Sequence, residues 1–146
     1  MSDPNNETDP SPALAPIPRD ECLRLLATQR VGRLAVVDGD QPVIFPVNFS
    51  VEDDHVVIRT AEGSKLDSSK LRRVAFEVDH IDPERREGWS VVVQGIGHEI
   101  TTALDPLSER LRSLAVDSWA GADRGHWVRI DAHQITGRRL SSPPPA

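Results

Sequence analysis

The sequence predicts a mainly β protein with short helices, its antiparallel strands curled in Greek-key fashion into a closed or half-closed barrel. Three observations carry this prediction. Six or so β-branched or alternating stretches follow one another closely, turn residues punctuate them, and helical periodicity is confined to short segments. At 146 residues the chain is long enough for one domain with a real core.

In chain order, residues 1–16 are rich in Pro, Asn, Asp and Ser, and the last six read SSPPPA. Neither stretch can bury enough apolar surface to offset its ordering entropy, so disordered tails are expected at 1–16 and 141–146, around a domain at 17–140. IPRDECLRLLATQ predicts a helix: Pro18 suits a first turn, Asp20 and Glu21 suit the positive dipole end, and Cys22, Leu25 and Leu26 share a face. VGRLAVVD and QPVIFPVNFSV flank Asp38-Gly39-Asp40, a hairpin signal. After Glu52-Asp53-Asp54 the chain returns as HVVIRT, and a short helix is expected at 64–71. RVAFEVDHI alternates apolar and polar residues, and WSVVVQGIGHEI forms a long strand in which Gly95 and Gly97 predict a bulge or bend. Asp105-Pro106 opens a second helix running to about Val116, and HWVRIDAHQITGRRL supplies a last strand or two.

The composition narrows function. Hydrophobic residues make up 38% and charged ones 27%, ordinary values for a soluble globular protein. A net charge of −6 argues against nonspecific nucleic-acid binding. Only Lys65 and Lys70 are lysines and every other basic residue is Arg, a skew that fits a GC-rich genome. One cysteine, no membrane-spanning run and no signal-peptide pattern lead to a cytoplasmic expectation, with no membrane partner. The five histidines show no metal-ligand spacing beyond His80-Ile81-Asp82, which reads as solvated loop. Cys22 reads as core, and Ser90 has no His/Asp pair that would make it a nucleophile. No catalytic residue or metal ligand is assigned.

The stretch with most chemistry is IRTAEGSKL, residues 58–66, where a strand hands over to the expected helix. A nucleotide P-loop would need a glycine five positions before Gly63, and Ile58 stands there. Two readings remain on residue types. One is a capped helix, with Ser64 and Asp67 spaced as in a capping box. The other is a phosphate cradle, in which a helix N-terminus is joined by Arg59, Thr60, Gly63, Ser64 and Lys65.

The order of segments resembles the pyridoxamine 5′-phosphate oxidase-like, flavin-binding split-barrel family. The segments are a helix, VGRLAVVDGDQP, FPVNF, IRTAEGSKL, VAFEVD and GWSVVVQG, with a weaker echo at ITGRR. The likeness is greatest to the short actinobacterial and nitroimidazole-resistance-type members. It implies a split β-barrel homodimer with a flavin, usually FMN, at each subunit interface, and an oxidoreductase acting on a small-molecule substrate. It further implies that Thr60, Gly63, Ser64 and Lys65, with Arg59, hold the phosphate. Pro46, Val47, Asn48 and Phe49 would line the ring largely through their backbone, and Trp89 and Ser90 would contact the flavin. The chain departs from the oxidase at Leu66, where a second basic residue is usual, and at Val43-Ile44, where an Arg is usual. These departures speak against pyridoxamine phosphate oxidation itself. Arg59 stands where nitroimidazole-resistance-type proteins usually have His.

Three alternatives accompany the FMN reading. A deazaflavin (F420) reductase would use a basic groove made from Arg59, Arg72, Arg73 and Arg138. A non-catalytic flavin- or haem-binding module would use the same pocket for storage or sensing. A cofactorless structural dimer would need only the helix cap.

Overall fold

The computed structural model describes residues 13–60, 66, 70–116 and 125–141. In chain order the elements are β1 (Ala13–Ile17), α1 (Arg19–Leu26), β2 (Val31–Asp38), β3 (Gln41–Glu52) and β4 (His55–Thr60), then β5 (Val74–Asp82), β6 (Glu87–Glu99), α2 (Pro106–Arg112) and β7 (His126–Ser141). Six strands form a ring in the order β7-β4-β3-β2-β5-β6, closed by β6 pairing with β7, and every pairing is antiparallel. β2, β3 and β4 are joined by tight turns, and β5 returns to lie beside β2. That is a Greek key. The turns fall where the sequence places them, with Gly39 at φ 67° and Asp53 at φ 53°.

The alternation along each strand decides what lies inside. Leu34 and Val36, Val56 and Ile58, Phe76 and Val78, Val91 and Val93, and Val128 and Ile130 are all buried in one continuous core. Phe76 sits at its centre, edge-on to Phe49 with ring centroids 4.9 Å apart. Gly32 clears its path: a β-carbon there would stand 2.4 Å from the Phe76 ring. A second, smaller cluster lies outside the barrel, where Leu111 of α2 and Val116 cover Val57 and Ile100. Asp105 caps α2 by accepting a hydrogen bond from the Ser108 amide at 3.1 Å.

The expected bulge is present. The β6–β7 register runs Gln94 with Gln134, then Gly95 with Ala132, so His133 is the extra residue. A β-carbon at Gly95 would lie 2.0 Å from the carbonyl oxygen of Asp131, so the strands can close up there only on a glycine. Gly137 does the same for α1, since a β-carbon there would meet the Cys22 sulfur at 2.5 Å. Cys22 itself is fully buried and burial pushes its thiol pKa up, as a core residue requires.

Several boundaries differ from expectation. Residues 13–17, mostly assigned to the N-terminal tail, form β1 against residues 137–141 of β7. The backbone of β7 has a free edge there, a partner that composition does not reveal, and Pro16 is tolerated because β1 is an edge strand. Ser141, assigned to the C-terminal tail, belongs to β7 for the same reason. The described positions of the expected helix at 64–71 are Leu66, Lys70 and Leu71, and none is helical. Leu66 and Leu71 are buried in the barrel core instead. α2 stops at Arg112, where the Ser113 hydroxyl bonds the Arg110 carbonyl, and Val116 packs beyond it. The final segment is one strand of 16 residues rather than two. The remaining tail residues lie outside the described residues, as does Trp119. Among the described residues no helix is long and apolar enough to cross a membrane.

Candidate functional site

The strand pairing divides the site residues between two surfaces. On β3, Val47 and Phe49 are buried in the barrel, while Pro46 is exposed and Asn48 half-buried on the outer face. Asn48 lies directly opposite Arg59 of β4, and Arg59 in turn opposite Trp127 of β7. The Arg59 guanidinium sits 5.2 Å from the centre of the Trp127 ring, a cation–π contact that holds its planar head against the sheet. Gly125 leaves room for the stem, because a β-carbon there would stand 2.9 Å from Cγ of Arg59. An amide and a fixed guanidinium thus share one patch at the end of β4.

The other residues are distributed differently. Thr60 is buried, 6% exposed, on the side of β4 that carries Val56 and Ile58, so it does not face the way Arg59 does. Trp89 is buried in the core opposite His80, at the rim of a groove of about 440 Å³ that Arg139 and Ser141 also line. Ser90 faces outward between Asp79 and Arg138. Three strand spacings separate Ser90 from Asn48, roughly 14 Å. Gly63, Ser64 and Lys65 lie outside the described residues. Val47 and Phe49 can therefore meet a ligand only through their backbone, the mode the family resemblance implies for them.

Three residues to which the sequence reading gave no role stand out on the same outer face. Arg33 of β2 donates to Glu77 Oε1 at 3.0 Å and to Asp79 Oδ2 at 3.2 Å, gathering two carboxylates of β5 around one guanidinium. The alternation in RVAFEVDHI was the available signal, since it puts Glu77 and Asp79 on one side. Burial, then the hydrogen bond and charge of Asp79, push the Glu77 carboxyl up to about 7, while Arg33 pulls against the shift. An acid whose pKa rises on folding binds its proton more tightly in the native state, so native stability falls as the pH climbs through the interval between the two values. Stability is therefore expected to decline between pH 4.5 and about 7. The full shift would correspond to about 3 kcal/mol, but solvent reaches this pair and reduces the expected loss to about 1 kcal/mol. Melting curves across that range should show a fall that Glu77→Gln removes. An unchanged pH profile in the variant would disprove the assignment.

Among the described residues no group of three or more potential metal ligands converges. His55 and His98 both pair with Asp131, at 3.1 and 3.3 Å, and His126 pairs with Glu99 at 2.6 Å. Nor do the four arginines of the deazaflavin alternative form one groove. Arg72 and Arg73 border the same hollow, whereas Arg59 lies on Trp127 and Arg138 beside Ser90.

A model of the family described as pyridoxamine 5′-phosphate oxidase matches residues 18–139, almost the whole barrel. The chain belongs to that family. It is similar to an uncharacterized protein of Mycobacterium tuberculosis, Rv0080, with 36% identity over 129 residues, 84% of this chain and 82% of the relative. The FAD binding protein from Mycobacterium smegmatis superposes with a TM-score of 0.72 at 34% identity, over 88% of this chain and 99% of that one. A FAD-binding protein from Mesorhizobium loti gives 0.70 at 26% identity, over 88% and 99% of the two chains. Within the pyridoxamine 5′-phosphate oxidase family the closed ring and its Greek key are thus accounted for, along with the order of segments that first carried the resemblance.

Proposed function

We propose that this chain is a flavin-dependent oxidoreductase that binds FMN and acts on a small-molecule substrate as a homodimer. The single observation that carries the reading is the Asn48–Arg59 patch on the outer face, at the end of β4, the strand that precedes Gly63, Ser64 and Lys65 in sequence. A hydrogen-bonding amide, an exposed Pro46 and a guanidinium fixed on an indole are a donor set suited to a planar polar ring with an anionic tail. Two relatives named as FAD-binding proteins support a flavin as the ligand. When bound, a flavin supplies the hydride chemistry itself. The protein's own part is then to position the ring along Pro46–Phe49 and to meet the phosphate with the charges of Arg59 and Lys65 and the Ser64 hydroxyl. Thr60, which faces the barrel, is left to its backbone. Trp89 and Ser90 are too far round the barrel from Asn48 to join this patch within one chain. A second copy that brings the outward-facing Ser90 across gives a physical motive for the dimer. The exposed Ile44, 68% accessible on the same outer face, supplies apolar surface for such a contact.

The test is an absorption titration of the purified protein with FMN and, separately, with F420, paired with sedimentation. The expected result is saturable FMN binding, one per chain, to a dimer. Binding of F420 with no response to FMN would transfer the assignment to the deazaflavin alternative, and a flavin-loaded monomer would remove the interface.

A further inference from the structure

A second hollow lies away from the Asn48–Arg59 patch. It is a groove of about 610 Å³ farther along the same outer face, over β2, β5, β6 and the bulge of β7. That volume is within the usual range for small-molecule sites. Its lining joins apolar Ala35, Val37 and Ile96 to Arg72, Arg73 and His133. The same two arginines also border a neighbouring hollow of about 590 Å³, reached by Lys70, so they stand between two open spaces.

Two independent features set this groove apart from an ordinary solvated surface. The first is charge. The chain has six more acids than bases, and four other arginines are matched, Arg33 to Glu77, Arg110 to Glu52, Arg129 to Asp131 and Arg139 to Glu21. Exposed Arg24, Arg86 and Arg138 have no carboxylate partner among the described residues, but they line no such apolar groove. No carboxylate among the described residues pairs with Arg72 or Arg73, which are adjacent in sequence and both exposed. Two guanidinium groups that border one hollow can both donate to an anion held there. The second feature is the bulge. It depends on glycine at residue 95, and the residue it releases from the ladder, His133, lines the groove beside ladder-paired Gln134. Bulges re-aim side chains in this way beside binding sites.

We infer that this groove binds a nucleoside phosphate, the base against Ala35, Val37 and Ile96 and the phosphate between Arg72 and Arg73. A flat apolar body answers the apolar lining, and a phosphate accepts the forked donors of two guanidinium groups. Pro42, which also lines the groove, lies four residues along β3 from Pro46, so the two sites are roughly 13 Å apart. The inference does not depend on the flavin assignment.

The experiment uses the full chain, saturated with FMN so that any flavin phosphate site is filled, and titrates it calorimetrically with ADP and with adenosine. ADP should bind once per chain, and the Arg72→Ala/Arg73→Ala variant should bind it roughly 10- to 150-fold more weakly. Adenosine should bind parent and variant alike. Val37→Glu, which places a carboxylate in the apolar lining, should weaken both ligands. FMN affinity should be the same in parent and double variant, which keeps this site distinguishable from the flavin site. No ADP binding by the parent, or equal binding by parent and double variant, would overturn the inference. A double variant that changed the oligomeric state in sedimentation would overturn it too, by showing that the arginines serve a contact between copies.

Discussion

Phe76→Ala is expected to cost about 3–5 kcal/mol of folding stability, a large part of what a domain of this size possesses. The ring is fully buried, meets Phe49 edge-on and fills the space that Gly32 leaves open. Removing it leaves a cavity that a closed barrel cannot collapse, since every wall strand is held by two neighbours. The melting temperature should drop by about 6–20 °C. Gly32→Ala should also destabilise, because its methyl group would press into the same ring. The two effects should not add. Phe76→Leu, harmful alone, should lose part of its cost when Gly32→Ala is present, and a thermodynamic cycle over the four proteins measures the difference. Strict additivity would mean that the two positions do not share this space.

The second large effect concerns the phosphate. If the turn after Thr60 cradles the anionic end of FMN, Lys65→Ala removes a charge-assisted contact of roughly 1.5–3 kcal/mol and weakens FMN binding by roughly 10- to 150-fold. Riboflavin, which has no phosphate, should bind parent and variant alike. A helix cap with no ligand makes a different forecast: Lys65→Ala would leave FMN affinity as it was, and Ser64→Ala alone would matter, through stability. Comparing the two ligands on the two proteins separates the cases. Equal losses for FMN and riboflavin, or none for either, would end the phosphate role.

Much of the architecture was legible because strand alternation is a local property. Val74, Phe76 and Val78 announce an inward face without reference to any other part of the chain, and Gly95 announces irregularity by its lack of a side chain. β1 was not legible. Its five residues have no pattern of their own and are strand only because residues 137–141 of β7 offer an edge more than a hundred positions away. The patch at Asn48 and Arg59 was half legible. The motif order named both residues, but that they stand opposite one another is a matter of register, which depends on the length of the Glu52–His55 turn. Trp127 as the support for Arg59, and Arg33 as the clamp on Glu77 and Asp79, were not legible at all. Each pairs residues from distant strands whose types alone are unremarkable on a surface.

The length of β7 has a consequence for how the molecule is made. This one strand pairs with β4 through residues 126–131, with β1 through 137–141, and with β6 along most of its length. It is the last barrel strand to leave the ribosome. Until it emerges, β4 and β6 each expose an unpaired edge, and β1 has no partner. Closure must then wait for contacts between residues far apart in sequence, the kind that make folding slow. The nascent chain is thus most vulnerable to edge-to-edge pairing with its neighbours during the interval between synthesis of β6 and arrival of β7, and a synonymous codon change that lengthens this interval would act on yield without altering a single contact in the finished barrel.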